Sequence, residues 1–245
     1  FSAQYQGHPT TAGGGIFKEA NFRFWPRTDT HYVLATPSGD VKYVPVADCI
    51  RFSTVDLAAT LSSRADYSVI STWDATPARD IVLVDRVRTR TLSSEHRAWL
   101  AGHYARLKPR YAIVENKTYG MTLLQGAYKD GMVLKPDTGG NRDKLSKAIP
   151  AGVAIDAGRV YFPTTDNAPW LREWTSELLQ FPNGAHDDQV DTFSMAAEEI
   201  TTGALSTPVR EQKVEQGGME GRIARYRAQR SKGHGKVQHP QLGRL

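Results

Sequence analysis

The sequence predicts an α/β fold: a mixed sheet of three antiparallel strands followed by parallel strands, with helices on both faces. Three observations carry this prediction. Between Cys49 and Val87, three runs rich in β-branched and aromatic residues follow one another over short connections, which makes them antiparallel neighbours. From Ser93 to Leu134 the pattern changes to helix, strand, helix, strand, the order of a parallel sheet with crossover helices. In and just after FPNGAHDDQVDTFSMAAEE, residues 181–199, the residues Val190, Phe193, Ala197 and Ile200 recur at helical spacing behind His186 and three aspartates.

The elements follow in order. Residues 1–30 are rich in Gly, Gln and aromatics and read as an irregular lead-in. Tyr32–Val46 alternates as a hairpin, with Pro37-Ser38-Gly39-Asp40 as its turn. Cys49–Ala58 is a strand whose regular part ends at Asp56, Leu61–Arg64 is turn-like, and Tyr67–Trp73 and Ile81–Val87 are the next two strands. Ser93–Leu107 is a helix with Ser93 or Ser94 as its cap and Trp99, Leu100, Tyr104 and Leu107 as its apolar face. Tyr111–Val114 is a short apolar strand running into Glu115. Tyr119–Tyr128 is a helix, and Met132–Leu134 a further strand. Asn141–Ala151 is polar and basic and helical as far as Pro150, and Arg159–Phe162 is a short strand. Ala168–Leu179 is an amphipathic helix with Trp170, Leu171, Trp174, Leu178 and Leu179 inward. Three regions result: 1–48 lead-in and hairpin, 49–202 the α/β domain, and 203–245 a basic, flexible tail.

Composition narrows the class. Apolar residues make up 40% of the 245, enough for a core, and no apolar run approaches the length of a membrane span. The single cysteine, Cys49, excludes an internal disulfide and fits a reducing compartment. The net charge of +5 is uneven: residues 201–245 hold nine Lys/Arg and three Asp/Glu, so the rest of the chain is close to neutral. A basic tail suits a polyanion such as DNA; a solvated end that keeps the protein soluble explains it equally well. The first residue is Phe1, and the chain reads as a piece of a longer protein.

The acids share a local pattern. Asp56 ends one strand, Glu115 follows another, and Asp187, Asp188 and Asp191 open a helix. Taken singly, each has an ordinary explanation: a turn cap for Asp56, a salt bridge to Lys117 or Arg110 for Glu115, the helix dipole for a first-turn aspartate. Three first-turn aspartates together repel one another unless a cation sits among them. If the strands of Asp56 and Glu115 are neighbours, their side chains meet at one sheet edge, where ligands of α/β sheets collect. Carboxylates gathered there suit Mg2+ or Mn2+, and two such ions about 3.5–4 Å apart are the usual machinery of phosphodiester hydrolysis. At about 100° per residue, Asp187 and Asp191 project about 40° apart and Asp188 and Asp191 about 60° apart, so either pair can share a face.

VDLAATLSSRADYSVI, VENKTYGMTLLQ, KLSKAIPAGVAIDAGRVYFP and FPNGAHDDQVDTFSMA together resemble the nuclease domain of tailed-phage large terminase subunits. FSAQYQGHPTTAGGGIFKEANFRFW resembles the segment that joins that family's ATPase and nuclease domains. The resemblance runs from Phe1 to about Ala197. It implies a ribonuclease H-like fold and an endonuclease that cuts concatemeric double-stranded DNA at packaging. Asp56, Glu115, Asp188 and Asp191 are then the catalytic acids, and these four with Asp187 the ligands of two Mg2+ or Mn2+ ions. A resemblance to Holliday-junction resolvases favours Asp188 with Asp191 as the helical pair; His186 is read as a helix cap, and Asp66 as a turn or strand-start residue. Lys117, Arg142, Lys144 and Lys147 are placed near the acids as contacts to the DNA backbone, and an ordinary solvated face explains them as well. The resemblance also implies a portal ring, a small terminase subunit and an upstream ATPase domain as partners, in the host cytoplasm with transient docking on the procapsid. No G-x-x-x-x-G-K-[ST] loop occurs, so no ATP site is expected in this chain. A ribonuclease H-fold resolvase or recombinase, and a non-catalytic module that docks on DNA or a portal, remain the alternatives.

Overall fold

The computed structural model describes residues 15–26, 28–58, 67–115, 123, 127–137, 139–140 and 142–202. Its centre is a seven-stranded sheet. Strands β4 (Ile50–Asp56), β5 (Ser68–Ala75) and β6 (Ile81–Thr89) form the expected antiparallel meander. On one side β7 (Ala112–Val114) pairs parallel to β4, and β8 (Leu134–Pro136) parallel to β7. On the other, β9 (Val160–Pro163) pairs parallel to β6, and β1 (Arg23–Trp25) parallel to β9. The hairpin β2 (His31–Ala35) and β3 (Val41–Pro45) forms a separate two-stranded sheet.

Period-two alternation gives the central strands two buried faces. Val55, Ile70, Ala112 and Val114 point to one face, where they pack with Leu100 of α1 (His96–Leu107) and with Leu123, Ala127 and Met132. Phe52 and Trp73 point to the other. There Trp73 stacks on Phe193 of α4 (Asp188–Thr201) and meets Trp174 of α3 (Leu171–Gln180) edge-on, and Phe162 joins the same aromatic group. Helix α2 (Lys144–Asp156) packs along α4. The expected apolar face of α4 is fully inside: Val190, Phe193 and Ala197 are at 0% exposure. Because sheet, α2 and α3 all touch α4, its first-turn residues Asp188 and Gln189 are buried too.

Several elements differ from expectation. Arg23–Trp25, inside the supposedly irregular lead-in, is an edge strand of the sheet, anchored by the Trp25 indole N–H donating to the Leu83 carbonyl at 3.0 Å. Helix α2 runs through Pro150 instead of stopping there. Proline removes one hydrogen bond, to the carbonyl four residues back. The helix is held independently at both ends of that gap: the Asp143 carboxylate caps the Ser146 amide at 2.9 Å, and Gly152 packs against Ile16 so closely that a Cβ there would lie 2.5 Å from Ile16 Cγ2. Leu179, expected inward, is 39% exposed, because α3 ends one residue later and turns its last apolar side chain past the core. Glu95, not Ser93 or Ser94, stands at the N-cap position of α1, its carboxylate accepting from the Thr91 hydroxyl and the Leu92 amide. The predicted helix Tyr119–Tyr128 lies mostly outside the described residues; Leu123 and Ala127 are helical and buried. Asp66, the Leu61–Arg64 turn and the 203–245 tail lie outside them altogether.

Candidate active site

Three parallel neighbours, β4, β7 and β8, each lead into a carboxylate. The registers Val55↔Val114 and Val114↔Pro136 set Asp56, Glu115 and Asp137 side by side on consecutive strands. Two backbone bonds extend the ladder to that row: the Glu115 amide donates to the Val55 carbonyl at 3.1 Å, and the Asp137 amide to the Val114 carbonyl at 2.8 Å. By strand alternation all three acids point to the face that α4 covers. Antiparallel pairing continues the row the other way, Asp56↔Val69 and Val69↔Arg88. The row therefore reads Arg88, Val69, Asp56, Glu115, Asp137 across five strands.

The start of α4 lies across this row. It is fixed from below by the Ser71–Thr192 hydroxyl pair at 2.8 Å and the Trp73–Phe193 stack. From the side, the buried Glu177 carboxylate of α3 accepts from the Gln189 backbone amide and side-chain amide, both at 2.6 Å. This satisfies one of the N–H groups that a helix start leaves unpaired. The first-turn acids then part. Asp188 turns toward β6, where Arg88 lies 3.5 Å from it and 3.3 Å from Glu177 and also pairs with Glu173. Asp191 turns toward β7 and lines one cavity with Glu115, Asp137, Glu198, Ser194, Met195 and Lys147.

Burial pushes the Asp191 carboxyl up to about 6, with Asp187 and Glu115 adding to the rise and Lys144 opposing it. The Lys144 ammonium sits 2.6 Å from both carboxylate oxygens of Asp187 and 3.4 Å from Asp191. Although burial works against it, these two acids hold Lys144 above its ordinary value. Arg142 pairs with Glu198 on the same cavity.

The structure thus brings Asp56, Glu115, Asp187, Asp188 and Asp191 to one end of the sheet, and Arg142, Lys144 and Lys147 to the rim on the β8 side. Lys117 lies outside the described residues. His186 does not cap the helix: Asp187 holds the N-cap position, and the His186 ring packs edge-on to Tyr67 at 5.3 Å. Asp137 and Glu198 are site residues that the sequence did not single out. Asp137 follows the same rule as Glu115, an acid directly after a strand, but β8 ends at Pro136, two residues beyond the expected Leu134. Glu198 lies seven residues, about two helical turns, after Asp191 on the same face of α4.

The donor set is all carboxylate oxygen, from three strand ends and one helix start, which fits a hard divalent cation. The half-buried Asp191, repelled by Asp187 and Glu115, and the ammonium drawn in between Asp187 and Asp191 mark where positive charge is favoured. As the side chains stand, no group of three His, Cys, Asp or Glu among the described residues closes around a single point.

Residues 53–199 match the family model described as the terminase RNaseH-like domain. Comparison with curated proteins by sequence gave no match. Among solved structures, the large terminase nuclease of thermophilic phage G20c with bound magnesium aligns with a TM-score of 0.52 and 16% identity, over 77% of this chain and 98% of that one. The large terminase nuclease domain of Thermus phage P74-26 aligns with a TM-score of 0.52 and 17% identity, over 76% and 95%. The phage G20c nuclease with bound cobalt gives 0.50 and 16%, over 77% and 98%. At these identities the likeness concerns the fold. The family match spans more than half of the chain and includes the Asp56 end of β4, all of β7 and the acidic start of α4, so the chain belongs to the terminase RNaseH-like family, and its mixed sheet is the ribonuclease H-like fold of phage terminase nuclease domains.

Proposed function

We propose that this chain is the metal-dependent endonuclease part of a viral DNA-packaging terminase large subunit, which hydrolyses concatemeric double-stranded DNA. The observation that carries the proposal is the meeting of the Asp56–Glu115 row with the acidic first turn of α4, where Glu115 and Asp191 line one cavity. Asp56, Glu115 and Asp191 would hold two divalent cations, Mg2+ or Mn2+, with Asp187, Asp188 and Asp137 around them. When bound, such ions acidify the attacking water and neutralise the leaving oxygen.

The chain's own residues do the rest. Asp56 and Glu115 extend from paired strands, so their spacing is set by the sheet and not by a mobile loop. Asp191 is an acid whose charge is disfavoured by burial and by its acidic neighbours Asp187 and Glu115, so it gains when positive charge arrives. Lys147, on the cavity wall, and Lys144 and Arg142 on its rim give a phosphate backbone somewhere to rest, without preference for sequence. The basic 203–245 segment adds to that affinity through charge alone. Portal ring, small subunit and an upstream ATPase domain of the same polypeptide are the proposed partners, in the host cytoplasm at the procapsid.

The test is plasmid nicking by the purified chain, with Mn2+ or Mg2+ and without ATP. Metal-dependent nicking that stops in EDTA is expected; undiminished cleavage in EDTA would contradict the mechanism.

A further inference from the structure

The sheet edge that carries the acids has a second feature at its β6 end. Extending the β5–β6 register one residue past Ser68↔Thr89 sets Tyr67 opposite Arg90. The Arg90 guanidinium lies over the Tyr67 ring, 4.3 Å from its centroid, and the Arg88 guanidinium lies 3.9 Å from the same centroid. Both guanidinium groups therefore pack against the one Tyr67 ring. His186 meets the ring edge-on.

The two arginines differ in their surroundings. Arg88 is turned inward and its charge is met by Glu173, Glu177 and Asp188. Arg90 is exposed, and among the described residues its contact is the Tyr67 ring, with no ion pair. Its charge is therefore available while its position is already set. Ordering a long side chain is one of the costs of binding, and stacking on a ring lowers it in advance.

Position gives this arginine a meaning. Asp56 and Arg88 lie two inter-strand steps apart, about 10 Å, and Arg90 lies about 7 Å further along β6. The resulting separation from Asp56, about 12 Å between backbones, is a few phosphates along a DNA strand. On the opposite side of the acids, Lys147 lines the cavity beneath the β7–β8 end. We infer that Arg90, held against Tyr67, is a phosphate-backbone contact for duplex DNA on the β6 side of the acidic row, so that the duplex is gripped on both sides of the place where it is cut. The inference rests on the endonuclease reading for its substrate. Arg90 is a positioning residue: it sets where the duplex lies and takes no part in the chemistry.

The experiment is fluorescence-anisotropy titration of a short labelled DNA duplex in EDTA, over roughly 50–200 mM NaCl. The 1–245 chain is compared with its Arg90→Ala, Arg90→Lys, Tyr67→Leu and Lys129→Ala variants. Lys129 is an exposed cation on the β7–β8 connection, at the other end of the sheet, and controls for net charge. Arg90→Ala should weaken binding about three- to tenfold and flatten the log–log salt slope by about 0.9, the signature of one lost phosphate contact. Arg90→Lys should keep the slope and lose part of the affinity, Tyr67→Leu should fall between, and Lys129→Ala should follow the parent. Mn2+ uptake by calorimetry and melting temperature should be the parent's for Arg90→Ala. A parental slope in Arg90→Ala, or an equal shift in Lys129→Ala, overturns the contact. Parental nicking with Mn2+ keeps the two readings apart. A chain that does not nick but loses the slope with Arg90 refutes the endonuclease and leaves the contact standing. A chain that nicks while Arg90→Ala keeps the slope refutes the contact alone.

Discussion

Glu115 donates its backbone N–H to the carbonyl of Val55, 3.1 Å away across the β4–β7 pair, and this bond sets its side chain in line with Asp56. Two carboxylates ordered by the same ladder act as one unit. Glu115→Gln and Asp56→Asn should each reduce plasmid nicking by about a hundredfold or more, and the double variant should lose little beyond the worse single. Losses that multiply would mean two independent roles.

Arg88 is the hinge pin of the acidic helix. It faces three carboxylates, and Glu177 and Asp188 are themselves buried. Arg88→Met should destabilise the fold by about 3–5 kcal/mol, because a broken buried pair leaves uncompensated charge. Urea unfolding measures this. A loss below about 1 kcal/mol would show that solvent already screens the cluster.

His103 makes stability depend on pH. Arg106 donates to its Nδ1 at 3.3 Å, so Nε2 carries the proton and donates to Thr72 Oγ1 at 2.8 Å. Burial, with the nearby Arg106 charge, pushes the imidazole down to about 4, and Asp85 opposes the shift. Below pH 6.5 the unfolded chain takes up a proton that the folded chain refuses. Stability is therefore present above that pH and is lost as pH falls toward 4. From pH 7 to pH 5 the parent should lose about 2 kcal/mol more than His103→Gln in urea unfolding. Equal losses would mean that His103 is protonated in the folded state.

Much of this was legible in the sequence for a physical reason. Strand and helix periods are local, so the β4–β6 meander, the apolar strand running into Glu115 and the helix behind Asp187–Asp191 could be read from spacing alone. Arg23–Trp25 could not, because three residues hold no period and β1 exists only through its pairing with β9. Asp137 was hidden by a strand that is equally short and ends in Lys135-Pro136. The parting of Asp188 and Asp191 was beyond reach as well. Helical geometry allowed Asp191 to pair with either neighbour, and spacing alone does not show that Arg88 on β6, a hundred residues away, ion-pairs with Asp188 through the β4–β5–β6 register.

The most direct measurement is made on Asp56→Asn, the acid at the middle of the row: melting temperature and plasmid nicking with Mn2+, side by side with the parent. The substitution keeps the size of the side chain and removes a charge from an acidic cluster. The variant should melt near the parent and bind DNA in EDTA as the parent does. Its nicking rate should fall by about a hundredfold or more, roughly 2.7 kcal/mol in the barrier. A variant that folds normally and still nicks at the parental rate would remove Asp56 from the site, and with it the metal-dependent mechanism proposed for this row.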